Sequence, residues 1–206
     1  MKKGKIKIAV DIDDCICNTV DADFSYGYYY ARENGLLAEG KDYDNSYFDV
    51  TQTFNIPEDR VDDFHIKEKR ILMKRNNMFP SAFASSVINS LYQHCEIIFL
   101  TARVDKYFQH KTLSFTKKWL KKFGFKYDRV VISQDKQKFC VENDIDLVIE
   151  DRNAKIFNDV EIPTILMLKS YNHGYNNLLS THAINFIHLF DIINKKYFNN
   201  ELELKL

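Results

Sequence analysis

An α/β fold, with a parallel sheet covered by helices on both faces and a small helical insertion after the first strand, is predicted by three observations. Short, continuous apolar runs alternate with helix-patterned stretches along most of the chain. Polar and acidic residues recur immediately after those runs. The alternation fails once, between about Thr19 and Met78, where the pattern is polar and aromatic with helical spacing and no strand.

Each element follows from its residues. Residues 6–10 make a short buried strand that ends in an acidic cluster. Pro57 opens a helix through Val61, Phe64, Ile71 and Leu72, with Glu58 and Asp59 in its first turn. Ser81 is placed to cap a helix through Phe83, Val87, Ile88 and Leu91. Residues 97–100 form a second strand, and 105–122 a helix with Gly124 just past its end. A third strand covers 130–133, a short helix 136–142, and a fourth strand 147–149, closing on Glu150 and Asp151. Residues 163–168 read as a fifth strand, and 183–198 as an amphipathic last helix through Ile184, Ile187, Leu189, Phe190 and Ile193.

Composition bounds the function. The 206 residues suit one sizeable domain carrying an insertion. Twenty-nine basic residues balance 29 acidic ones, which argues against a strongly basic nucleic-acid binder. Only 6 Gly and 3 Pro disfavour an all-β sandwich with many tight turns. Four scattered cysteines form no disulfide framework, and the Cys15/Cys17 pair lacks a second pair at zinc-ligand spacing, so buried reduced thiols are expected. The first apolar run is cut at Asp11, too short for a signal peptide, and no stretch reaches the length of a membrane span. A cytoplasmic protein is expected.

Polar groups follow four strands: Asp11, Asp13 and Asp14; Thr101, Ala102 and Arg103; residues 133–136; and Glu150, Asp151 and Arg152. In an open parallel sheet these ends converge on one crevice. Acids gathered there need a cation, and a hydroxyl and a lysine beside them complete an anion site.

These residues carry a resemblance. The run Val10-Asp11-Ile12-Asp13-Asp14 resembles the first motif of the haloacid dehalogenase-like phosphatase superfamily. Leu100-Thr101-Ala102-Arg103 resembles its second motif, Asp135-Lys136 its third and Ile149-Glu150-Asp151-Arg152 its fourth, all in the family's order. The details look most like the 5'(3')-deoxyribonucleotidase branch (cytosolic type C) and its bacterial relatives. The resemblance implies a three-layer Rossmann-like core over residues 1–17 and 81–206, with a helical cap over 18–80. It implies a Mg²⁺-dependent phosphomonoesterase, a 5'-nucleotidase acting on a nucleoside monophosphate. Asp11 would be the nucleophile, forming an aspartyl-phosphate, and Asp13 the acid and base. Asp11, the Asp13 backbone carbonyl and Asp151 would hold the metal, a set of hard oxygens suited to Mg²⁺. Thr101 would donate to a phosphoryl oxygen, Ala102 and Arg103 would help bind the substrate, and Lys136 would neutralise charge on the phosphoryl group and Asp11, with Lys138 the alternative lysine. Glu150 would support Asp151 from behind.

Nine aromatics lie between Phe24 and Phe54. Phe24, Tyr28, Tyr43 and Tyr47 are candidates to stack a nucleobase, although a small insertion equally needs large side chains for its own core. The loop from Tyr171 to Asn176 lies on the active-site side and is either a substrate contact or surface. Lys111, Lys117, Lys118, Lys121, Lys122 and Lys126 form a basic stripe that reads as a solvated face, so no polymeric nucleic acid is expected. A homodimer is compatible with all of this. Other readings keep the machinery but change the substrate to a sugar phosphate, or make the chain a non-catalytic phospho-accepting module.

Overall fold

The structure is a computed structural model that describes residues 5–43, 49–75, 78–108, 110–152, 157, 160–169, 171–172 and 180–205. Six strands form one sheet: β1 (Ile6–Val10), β2 (Cys95–Thr101), β3 (Arg129–Ile132), β4 (Leu147–Glu150), β5 (Thr164–Met167) and β6 (Ser180–Ala183). All pairings are parallel, in the order β3-β2-β1-β4-β5-β6. The chain winds outward from β1 in one direction through β2 and β3, then returns to the other side with β4. The reversal point therefore lies between β1 and β4, where crossover connections part and leave a crevice.

Continuous apolar runs are what a two-sided sheet requires, and the period of two sorts their residues between its faces. Ile8, Val10, Ile97, Phe99 and Ile149 belong to one buried cluster; Ala9, Ile98, Leu100 and Val148 belong to another. The first cluster is completed by α4 (Ala84–Tyr92), α5 (Thr112–Lys122) and α7 (Phe186–Phe198), the second by α6 (Lys136–Glu142) and Phe157. Three layers result. Trp119, fully buried, also donates its indole N–H to the Met78 carbonyl at 2.8 Å, which anchors α5 to the chain entering α4.

Between β1 and α4 lie α1 (Thr19–Glu33), α2 (Val50–Thr53), a 3-10 turn (Glu58–Arg60) and α3 (Val61–Arg75). Tyr30, Ala31, Val50, Phe54, Ile56 and Phe64 form a third cluster here, distinct from the two sheet cores. Gly27 permits it: a Cβ at that position would stand 2.3 Å from Val50 and 2.8 Å from Phe54, so only glycine lets α2 approach α1 this closely. At its other side α3 meets the 3-10 turn after β2 (Asp105–Phe108), where Asp62 accepts from Lys106 at 2.7 Å and from Tyr107 at 2.8 Å.

Three expectations change. The polar segment Ser180–Ala183 is an edge strand, β6, so the last helix starts at Phe186 and not at 183. Its cap is Asn185, which accepts from the His188 N–H. The helix expected over 105–122 divides, because Asp105 accepts from both Thr112 and His110 while His110 adopts a positive φ of 53°. Ser81 does not cap α4; the cap position is Phe83, in the left-handed region, and the Ser81 hydroxyl turns to Asn18 instead.

Candidate active site

The crevice is built where β1 and β4 end. Asp11 is tied to β4 by its backbone N–H, which donates to the Ile149 carbonyl at 2.9 Å. The chain then leaves the strand, and Ile16 and Cys17 both donate back to the Ile12 carbonyl. Ile12 is fully buried and anchors this turn, while Asp14 takes a positive φ of 57° and accepts from the Val20 N–H. That contact caps α1, whose own N-cap, Asn18, makes no side-chain cap bond.

Lys136, the first residue of α6, reaches into the crevice. Its ammonium is 2.8 Å from Asp11 and 2.8 Å from Glu150, with about a tenth of the side chain exposed. Lys138, the alternative lysine, is exposed and lies 3.9 Å from Glu142. The difference has a local cause: Asp135 caps α6 by accepting from the Lys138 N–H, so Lys136 starts the helix on the sheet side.

Asp11, Glu150 and Asp151 are all buried, and one oxygen from each lies within 4.8 Å of the others. Burial raises the Asp11 carboxyl to about 7, with Glu150 adding to it and Lys136 opposing. Burial likewise raises Asp151 to about 8, helped by Asp11, and raises Glu150. Three carboxylates against one ammonium leave a deficit of positive charge in a dry place. A divalent cation with a preference for oxygen fits that deficit and that donor set. Glu150 is thus a member of the cluster itself as well as a partner of Lys136. Asp151 also accepts from the Tyr171 hydroxyl at 2.5 Å, and its backbone carbonyl accepts from Asn172. The side chain of Asn172 further bridges the Met167 carbonyl and the Lys169 N–H, which fastens this loop to the end of β5.

Asp13 is held differently. Arg103 grips it with two hydrogen bonds, Nε to Oδ2 at 2.7 Å and Nη2 to Oδ1 at 2.8 Å. Thr19 donates to it at 2.8 Å, and the Thr101 hydroxyl lies 3.4 Å away. Burial works to raise this carboxyl, but the charge and hydrogen bonds of Arg103 outweigh it and hold Asp13 well below the usual carboxylate range. Arg103 is itself buried, donates to Thr116 at 3.0 Å and lies 5.4 and 5.7 Å from the rings of Phe108 and Phe115. The guanidinium expected to help bind substrate is therefore engaged on Asp13. Ala102 sits beside it, its carbonyl accepting from Gln134.

The cap aromatics converge on one another. Phe24 and Tyr43 each lie 5.2 Å from the ring of Phe54, and Tyr28 lies 6.2 Å from it. Tyr28 alone of the three stays largely exposed, at 44%. Tyr47 lies outside the described residues. Sequence reasoning missed Lys69, on α3, which pairs with Asp23 through two contacts of 2.8 and 2.9 Å and whose charge lowers Asp13 as well. Its signal was hidden among the exposed charges of that helix. The four cysteines are buried and free, as the thiol reading expected. No helix among the described residues is long and apolar enough to cross a membrane.

No protein-family model matches this sequence, and no curated protein matches it. Solved structures do match the fold. A haloacid dehalogenase-like family hydrolase from Xanthomonas campestris is 12% identical, over 94% of this chain and 96% of that one, with a TM-score of 0.61. The HAD-hydrolase YfnB from Bacillus subtilis, bound to magnesium, is 16% identical over 93% and 100%, also at 0.61. CbbY from Rhodobacter sphaeroides, in complex with phosphate, is 12% identical over 90% and 96%, at 0.62. At these identities the likeness establishes a common fold, the three-layer α/β architecture of haloacid dehalogenase-like hydrolases.

Proposed function

We propose that this chain is a Mg²⁺-dependent phosphomonoesterase that works through an aspartyl-phosphate on Asp11, with a core over residues 1–17 and 81–206 and a cap over 18–80. The observation that carries the reading is the cluster of Asp11, Glu150 and Asp151 around Lys136 at the reversal point of the sheet. Asp11, Asp151 and the Asp13 backbone carbonyl would hold the ion, with Glu150 beside them. When bound, Mg²⁺ supplies positive charge to the phosphoryl oxygens and lowers the repulsion met by an anionic nucleophile.

The chain's own groups do the rest. Asp11 attacks phosphorus with a carboxylate oxygen, the P–O bond to the alcohol breaks, and Asp13 supplies the proton that the leaving alkoxide takes. Water then attacks the acyl phosphate, Asp13 takes its proton, and Asp11 returns as carboxylate with release of inorganic phosphate. Lys136 favours ionised Asp11 against the effect of burial and offsets charge on the phosphoryl group, and Thr101 donates to one of its oxygens. Because Arg103 favours ionised Asp13, the clamp assists the second half more than the first.

For the leaving group, a sugar phosphate is the first reading. Two of the rings expected to stack a base, Phe24 and Tyr43, are spent on Phe54, and CbbY has also been crystallised with xylulose-1,5-bisphosphate. A nucleoside monophosphate is the second, favoured by the exposed ring of Tyr28. Phosphate release from a panel of sugar phosphates and ribo- and deoxyribonucleoside 5'- and 3'-monophosphates, with Mg²⁺ and with chelator, tests both. An Asp11→Asn variant as active as wild type would falsify the aspartyl-phosphate route.

A further inference from the structure

The basic stripe seen in the sequence occupies a groove. Two adjoining hollows of about 850 and 400 Å³ run along α5 and share Lys117 and Lys118. Lys111 and Ile132 line the first, and Lys121 and Tyr127 the second, so together they follow α5 past both ends of β3, the outermost strand on that side. Residues 111–127 contain six lysines and no acid, in a chain whose total charge is zero. One acid, Asp105, also lines the first hollow, its carboxylate accepting from Thr112 and His110. All six lysines are exposed, and among the described residues none forms an ion pair, whereas Lys67, Lys106 and Lys138 each find a carboxylate.

This arrangement works against the isolated helix. Lys117 and Lys121, Lys118 and Lys121, and Lys118 and Lys122 are neighbours at three- or four-residue spacing, and each like-charged pair destabilises the helix. A polyanion along the groove removes that cost. Rings accompany the charge: Tyr127 lines the second hollow, and the Lys122 ammonium lies 5.0 Å from the Phe123 ring, itself 6.2 Å from Phe79, which is 61% exposed. Tyr127 is half-buried with its ring 5.7 Å from Phe99, and Phe123 rests 5.0 Å from Trp119, while Phe79 stays exposed. Spaced cations beside such partly exposed rings match a chain of phosphates and bases. At its other end the groove reaches Ile132, the register partner of Thr101.

We infer that the α5–β3 groove is a docking surface for single-stranded nucleic acid, with Lys117, Lys118 and Lys121 contacting its phosphates and Tyr127 a base. The expectation that no polymeric nucleic acid binds rested on zero net charge and on reading this same stripe as a solvated face.

The test is fluorescence anisotropy with a fluorescein-labelled oligothymidylate of about a dozen residues bearing hydroxyl ends, in chelator and low salt. Wild type should bind it, with log K falling against log salt at a slope near −2, about 0.7 for each of three phosphates neutralised. The combined Lys117→Glu, Lys118→Glu, Lys121→Glu variant should bind at least about tenfold more weakly with a flatter slope. It should hydrolyse p-nitrophenyl phosphate at the wild-type rate. No binding by wild type, or undiminished binding by the variant, overturns the inference. Polyglutamate or anionic vesicles that displace the probe as well as unlabelled oligothymidylate overturn the assignment to nucleic acid. A wild type inert toward p-nitrophenyl phosphate speaks against the proposed activity alone and leaves the binding result standing.

Discussion

The crevice at the ends of β1 and β4 buries charge, whereas the cluster between α1, α2 and α3 buries rings. In the crevice Asp11, Glu150 and Asp151 are buried and Asp13 partly so, with Lys136 and Arg103 paired to them. That arrangement costs stability unless something further binds, so its retention points to chemistry. In the cap, Phe24, Tyr28 and Tyr43 gather on Phe54 above a glycine that admits no side chain. That arrangement stabilises by itself through apolar burial and ring contacts. Residue type alone does not separate function from structure here. Whether a group's environment satisfies it does.

Breaking the crevice should therefore cost rate, and breaking the cap should cost stability. The largest effect is expected for Asp11→Asn: a fall in kcat of at least ~10³-fold, since the proposed nucleophile is lost. Thermal unfolding without metal should hold or rise, because a crowded buried carboxylate has become neutral. Lys136→Ala should lower kcat by roughly 10²–10³-fold. Lys138→Ala, on an exposed pair, should leave steady-state kinetics unchanged. Equal effects from both lysines would undo the assignment of Lys136.

In the cap the expected order of readouts reverses. Phe54→Ala should destabilise by about 3–5 kcal/mol through the cavity it leaves. Gly27→Ala should cost about 1–3 kcal/mol because its Cβ collides with Val50 and Phe54. Denaturant melts of both variants measure this, and a silent Gly27→Ala would show that α1 and α2 are not held at this spacing.

The crevice also predicts how stability responds to pH. Asp11 and Asp151 are raised from 3.8 to about 7 and about 8, so the folded, metal-free protein keeps protons that the unfolded chain gives up above its ordinary carboxylate range. Their contribution is fully present below that range and is lost as pH rises through about 7 to 8. Asp13, held low by Arg103, acts in the opposite sense and loses its contribution only in strong acid. Thermal melts should thus decline from about pH 5 to about pH 8 without metal, and Mg²⁺ should restore most at the alkaline end. A Mg²⁺ effect independent of pH would detach the ion from these carboxylates.

How much of this was legible in the sequence depends on how local its cause is. The strands around 6–10, 97–100 and 147–149 announce themselves because burial on both faces demands uninterrupted apolar runs. The helix Lys136–Glu142 was legible to the residue, since Asp135 caps it from one position away. Strand β6 was not, because an edge strand can carry the polar sequence Ser-Thr-His-Ala. Asp11, Asp13, Lys136 and Asp151 could be named from motif order alone. The engagement of Arg103 by Asp13, 90 residues away, and of Lys69 by Asp23 depends on tertiary approach, which no spacing encodes.

The smallest expected effect falls where the two regions could meet. Tyr28 contacts Phe54 by one edge and leaves 44% of itself exposed, so it belongs only partly to the cap core. Tyr28→Leu keeps an apolar side chain against Phe54 and should change stability by no more than about 1.5 kcal/mol. If the ring faces a base, the variant should raise KM for nucleoside monophosphates by roughly fivefold to tenfold, the worth of one stacking contact, and leave KM for sugar phosphates unchanged. If KM is unchanged for both, every described ring of the three serves the cap's core, and the nucleotide reading loses its remaining structural support. A rise for both classes would place the ring against the part that all substrates share, and would join the cap to the crevice without deciding the base.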